Sequence, residues 1–159
     1  MMLSFFEYNW QVRDEWLHWC EQLSPEALLQ KRVGGVGSIQ YTLFHIIDVE
    51  YSWLRAIQSK DDVIFDFDSY KSLDQLKILS QQTLSENRVF MTAIEPHTYN
   101  QKVYIPWEDE FHTVSDILHH LVAHEIHHIG QLSIWARELG LTPISPGYIG
   151  RQFSSLSKI

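Results

Sequence analysis

Cysteine is almost missing from this sequence. One residue, Cys20, rules out any internal disulfide, and a reducing, cytoplasmic setting is expected. Cys20 lies among apolar residues of an expected helix and reads as a packed core residue rather than a nucleophile. Positive charge is also scarce: 12 Lys and Arg stand against 20 Asp and Glu, for a net charge of −8 and a pI near 5.5. The chain therefore lacks the basic footprint that nucleic-acid binding requires, and nothing in it attracts an anionic membrane. No apolar run approaches the ~18 residues of a membrane span. The N-terminal Met-Met-Leu-Ser-Phe-Phe-Glu has no basic leader before an apolar stretch, so no signal peptide is expected. There is no internal repeat, no low-complexity tract and no linker long enough to divide domains. These absences leave one domain over residues 1–159, large enough for a substantial core. Six Trp within an aromatic content of 13 % supply large pieces to bury.

Apolar periodicity places four long helices. Leu3, Phe6, Trp10, Leu17 and Cys20 recur at mostly helical intervals over residues 3–22. Ser24-Pro25-Glu26 then resembles a short helix start, with Ser as N-cap and Pro at the first helical position. Gly34-Gly35-Val36-Gly37 is a loop, and Ser38 is a good cap for a strong helix over 39–58. Residues 59–68 form an acidic, irregular connection. Ser69 or Ser72 caps a third long helix ending near Ile94, with Pro96 just past its end. Residues 98–105 have strand propensity and read as an extended arm or a small hairpin edge. Thr113 or Ser115 starts the last long helix, which runs to about Leu139 with Gly140 as its C′ residue. A short C-terminal helix is expected after Pro146. The architecture is all-α, a four-helix bundle.

Five of the nine histidines fall between His119 and Gln131. His124 and His128 are four apart, which places both rings on one face of a helix, where they can hold one divalent metal from one side. The stretch also reads His124-Glu125-x-x-His128, the zinc-protease signature. At about 100° per residue, counted from Leu118, the apolar residues of this helix form one broad arc that includes Ile126. His124 and His128 flank the edge of that arc beside Ile117 and Trp135. His127 and His119 point away from it, and His120 is marginal. Glu125 falls inside the arc, where a carboxylate is costly unless paired. It reads first as a structural hydrogen-bonding residue or a support for a histidine, and second as a general base. A third ligand has to come from another element, and His45, mid-helix among Leu43, Ile46 and Ile47, is the best candidate. Three imidazoles leave a position free, which is a catalytic geometry and suits Zn²⁺ or Ni²⁺.

The segment Ser38-Ile-Gln-Tyr-Thr-Leu-Phe-His45-Ile-Ile-Asp-Val-Glu50, followed by His124-Glu-Ile-His-His128-Ile-Gly-Gln131, resembles the DinB-like family, also called YfiT-like or bacillithiol-transferase-related. Leu23-Ser-Pro-Glu-Ala-Leu-Leu and Trp135-Ala-Arg-Glu-Leu-Gly140 fit as well, so the resemblance spans nearly the whole chain. It implies a four-helix bundle with a three-histidine divalent-metal site at His45, His124 and His128, and often a homodimer. It also implies a thiol S-transferase, which joins a low-molecular-weight thiol to an electrophilic small molecule. A non-enzymatic metal- or ligand-binding stress protein is the alternative. A zinc-dependent hydrolase is weaker, because the extended zincin pattern requires Gly at 131 and His at 134, where this sequence has Gln131 and Ile134.

Overall fold

The computed structural model describes residues 2–154. Its helices are α1 (Met2–Trp19), a short α2 (Pro25–Leu29), α3 (Ile39–Ile57), α4 (Leu73–Ala93) and α5 (Val114–Glu138). A two-stranded antiparallel hairpin, β1 (Lys102–Ile105) and β2 (Glu110–Thr113), joins α4 to α5, with Lys102 opposite Thr113 and Ile105 opposite Glu110. Of residues 98–105, expected as an extended arm or a small hairpin edge, 102–105 form the first strand of a hairpin.

Side-chain caps set the helix starts, each satisfying an N–H that the helix itself leaves unpaired. Ser24 accepts from the Ala27 amide, Ser38 from Tyr41, and Thr113 from Asp116. Ser72 and Gln75 form a reciprocal capping box at the start of α4. α5 ends in a Schellman motif: the amide of Leu141 donates to Ala136 and that of Gly140 to Arg137, with Gly140 at φ +72°. The helix expected after Pro146 is absent among the described residues. Residues 141–148 carry no regular element, since Pro143 and Pro146 remove amide donors and Gly147 and Gly150 disfavour helix. Residues 155–159, where such a helix would end, lie outside the described residues. No described helix is long and apolar enough to cross a membrane.

α1 packs on α4 and α5, and α3 packs on the same two, so α1 and α3 lie diagonally across the bundle. The interior is divided in two. One apolar cluster gathers Val12, Trp16, Leu43, Ile47, Leu79, Leu132 and Trp135. The other gathers Phe6, Trp10, Leu54, Met91, Leu118 and Leu121. Between them runs a polar layer with one residue from each long helix: Arg13, Glu50, Asn87 and Glu125, all buried.

Within that layer Arg13 bridges two carboxylates. Its Nε and Nη2 donate to Glu125 at 2.9 and 2.5 Å, and Nη2 also donates to Glu50 at 2.8 Å. Glu50 accepts further from Asn87 Nδ2 at 2.9 Å and from Trp10 Nε1 at 3.1 Å. Charges taken this far from water persist only when paired and hydrogen-bonded. The two carboxylates hold the Arg13 guanidinium charged against the cost of its burial. Burial pushes the Glu125 carboxyl up while Arg13 pulls it down.

Candidate metal centre

α3 and α5 pack face to face, and their contact sets the geometry of the histidines. His45 on α3 and His124 and His128 on α5 each offer a ring nitrogen, and these atoms all lie within 4.8 Å of one another. His45 Nε2 and His124 Nε2 are 3.0 Å apart. Two nitrogens bound to one tetrahedral ion at about 2.0–2.1 Å would be separated by about 3.4 Å, so the pair needs little adjustment to share one. The donor set of imidazoles only, convergent and without a fourth protein ligand in the group among the described residues, fits a divalent ion with an open position.

The protonation state of these rings suits a metal. Burial, aided by His128, pushes His45 down to about 4. Burial, aided by the neighbouring imidazoles, pushes His124 down to about 3. Burial also lowers His128, opposed by a hydrogen bond from its ring to a side chain. That bond runs from His128 Nδ1 to Gln131 Oε1 at 2.7 Å. The amide oxygen can only accept, so Nδ1 carries the proton and Nε2 keeps its lone pair for a ligand role. Gln131 Nε2 in turn donates to His127 Nε2 at 3.0 Å.

The backbone at Gly35 approaches the Gln131 side chain closely. The glycine loop lies against α5, and the carbonyl of Val33 accepts from Trp135 Nε1 at 3.1 Å. A Cβ on Gly35 would sit 2.6 Å from Gln131 Oε1, and the backbone there has φ +60°. Only glycine meets both demands without strain. Gly35→Ala is therefore expected to displace the Gln131 amide from His128. Metal affinity should fall by about ten-fold, the lower end of what loss of a ligand's supporting hydrogen bond costs. Isothermal titration with Zn²⁺ checks this, and an unchanged affinity would show that Gln131 does not orient the ring.

A second expectation concerns pH. Free imidazole titrates near 6.5, and from sequence alone metal would be lost in that range. The folded rings of His45 and His124 stay neutral far below it, and burial lowers His128 in the same direction, so protons compete for the first two only at much lower pH. Zn²⁺ affinity measured at pH 5.5 should remain within a few fold of its value at pH 7.5. The metal-free protein behaves differently. Between the folded values of about 3 to 4 and the unfolded value of about 6.5, the unfolded chain binds more protons. The metal-free fold therefore loses stability as pH falls through that window.

The other predicted positions sort as follows. His119 and His127 are exposed, as their facing requires, and His120 is exposed too. The His120 ring nonetheless lies 5.7 Å from that of His124 and 5.2 Å from that of Trp53. Glu125 turns from the histidines and bonds to Arg13 of α1. Burial and the nearby charge of Asp62 push Asp48, one turn along α3 from His45, up to about 6. Periodicity and motif alone do not assign Gln131 or Gly35 to the site. Gln131 offers a signal, being three residues after His128 and thus one turn away on the same face.

A four-helix bundle with three convergent imidazoles between two of its helices defines a class of metal-binding bundle proteins. A sequence profile of the DinB family matches residues 1–154, and the chain belongs to that family. It is 54 % identical over 151 residues to the uncharacterized protein YizA of Bacillus subtilis (strain 168), covering 94 % of this chain and 95 % of YizA. Among solved structures, a DinB-like protein from Bacillus cereus ATCC 10987 superposes with a TM-score of 0.73 at 18 % identity, over 91 % of this chain and 94 % of that one. YfiT from Bacillus subtilis superposes with a TM-score of 0.68 at 15 % identity, over 89 % of each chain. YfiT is described as a probable metal-dependent hydrolase with an unusual four-helix bundle topology. At these identities the superpositions establish the fold. Family and triad together make this a candidate divalent-metal-binding protein.

Proposed function

We propose that the protein is a metal-dependent thiol S-transferase in which His45, His124 and His128 hold one divalent ion, Zn²⁺ or Ni²⁺ in a purified sample. The observation that carries this reading is the convergence of three neutral imidazoles with no fourth protein ligand among the described residues. When bound, the ion would lower the pKa of a thiol reaching the open position. Net, the thiol loses its S–H proton and its sulfur forms a bond to carbon of the electrophile. Any leaving group departs with the electron pair of the bond that breaks.

The chain's own residues do the holding. Gln131 fixes the tautomer of His128, and burial keeps all three rings unprotonated. Cys20 supplies no nucleophile. It is fully buried, and burial pushes its thiol up to about 12, so the reacting thiol is a cosubstrate. A conjugation assay over a panel of small thiols and electrophiles, with and without added Zn²⁺ or Ni²⁺, tests the reading. Metal-dependent product supports it; no turnover with a metal-loaded protein favours a binding protein without catalysis.

A hydrolase is the second reading, prompted by the description of YfiT. The structure disfavours the protease-like version of it. The residue that would act as general base, Glu125, is locked against Arg13 with both oxygens engaged. Glu125→Gln should therefore act through folding, lowering stability without selectively abolishing turnover of the remaining folded protein. A circular-dichroism melt beside the activity assay separates the two effects.

A further inference from the structure

On the side of α5 turned away from the triad, a groove of about 580 Å³ runs between the helix and residues 142–146. Ile126 and Gly130, which line it, each lie about 160° of helix rotation from His128. The helix forms one wall, and Pro143, Ile144 and Pro146 form the other. That second wall is tied down at both ends. Trp19 Nε1 donates to the Thr142 carbonyl at 2.8 Å, and the Tyr8 hydroxyl donates to the Pro146 carbonyl at 2.8 Å. The groove is therefore formed before any ligand arrives. Its volume lies in the range of ordinary small-molecule sites.

The middle of the groove is apolar and one end is cationic. Two hydroxyls of the lining are turned to the backbone, Tyr8 to Pro146 and Ser133 to the Ile129 carbonyl at 3.1 Å. Pro143 and Pro146 have no N–H to present. Ile126 is 43 % exposed. A Cβ on Gly130 would meet nothing within 4 Å, so glycine, a poor residue for the middle of a helix, leaves the floor open. At the C-terminal end Arg137 Nη1 donates to the Ser133 carbonyl at 2.9 Å, which lays the guanidinium back over the groove. Among the described residues no carboxylate pairs with Arg137, and the lining contains no Asp or Glu.

We infer that this groove binds a single-chain amphiphile with a carboxylate head, its tail along Ile126 and Gly130 and its head on Arg137. A guanidinium meets a carboxylate through two parallel hydrogen bonds, and the apolar walls offer a saturated chain a dry surface. From Ile126 to Arg137 α5 rises about 16 Å, the reach of an extended chain of about twelve carbons. A second copy of the chain suits the groove less well. A two-fold contact sets a face against itself, and here it would bring two arginines together without a counter-charge. The groove is separate from the metal centre, and the inference does not depend on the reaction assigned to that centre.

The test is calorimetric titration of the full-length protein with dodecanoate below its micelle concentration. Saturable binding is expected. Arg137→Gln should weaken it about ten-fold, the worth of one charge-assisted contact. Dodecyltrimethylammonium, with the same tail and the opposite head, should bind more weakly than dodecanoate by at least as much. Gly130→Leu fills the floor with a better helix former and should abolish binding, with Tm no lower and Zn²⁺ affinity unchanged. Circular dichroism confirms that both variants fold. Absence of saturable binding, binding indifferent to Gly130→Leu, or equal binding of the two amphiphiles overturns the inference. Sedimentation equilibrium covers the other occupant. A dimer that Gly130→Leu separates, in a protein that takes up no dodecanoate, would make this face an interface between copies and overturn the inference as well.

Discussion

Replacing Arg13 by alanine is expected to remove a large fraction of the protein's stability, although Arg13 touches none of the three histidines. Arg13 is 2 % exposed and, among the described residues, is the only cation paired with Glu50 and Glu125 in the polar layer. Its removal leaves two carboxylates in the centre of the bundle without a counter-charge. Breaking a buried ion pair by removing one partner costs about 3–5 kcal/mol, and here one side chain serves two partners. A domain of this size has about 5–15 kcal/mol in total. Urea denaturation should show the midpoint lowered by a large fraction of its value, or no cooperative transition at all. Arg13→Met with Glu50→Gln and Glu125→Gln should recover a large part of the loss, because the charges leave together. If Arg13→Ala cost under about 1 kcal/mol, the cost of leaving those charges unpaired would have been misjudged.

The second large effect concerns the metal. His45→Ala, His124→Ala and His128→Ala should each lower Zn²⁺ affinity by on the order of a hundred-fold or more. Structural zinc sites bind with about 10–16 kcal/mol shared over four ligands, so the loss of one imidazole removes about 3 kcal/mol. His119→Ala should change nothing, since that ring is exposed and, among the described residues, bonds only to Ser115. His127→Ala should have at most a few-fold effect, through its bond to Gln131. Competition titration against a chromophoric chelator measures all five variants on one scale. An affinity lost in His127→Ala but kept in His124→Ala would reverse the assignment of faces.

The legible part of this site follows from periodicity. Residues 117–136 repeat with the helical period, so the direction of each histidine on α5 can be counted from sequence alone. That count separates the pair His124 and His128 from His119 and His127. The apolar arc obtained the same way is too wide. It includes Ile126, which is 43 % exposed, because the arc that is actually buried centres near Glu125 and Leu132. A carboxylate at the centre of a buried face is recognisable as needing a partner. The partner's identity is not, since Arg13 is 112 residues away and helical periodicity says nothing about which helices become neighbours. The same limit applies to Gly35, whose loop position is clear while its contact with Gln131 depends on tertiary packing. The second strand, Glu-Phe-His-Thr over residues 110–113, has too little apolar alternation to stand out. It forms because β1 and the short turn at Pro106–Asp109 bring a partner to it.

The most direct measurement is anomalous scattering at the metal edge from crystals of the protein grown without chelator. The account predicts one strong peak about 2.0–2.1 Å from a ring nitrogen of each of His45, His124 and His128, with His128 binding through Nε2 and no fourth protein ligand. A peak held by His119, His120 or His127 instead, or a site closed by a fourth protein side chain, would contradict it.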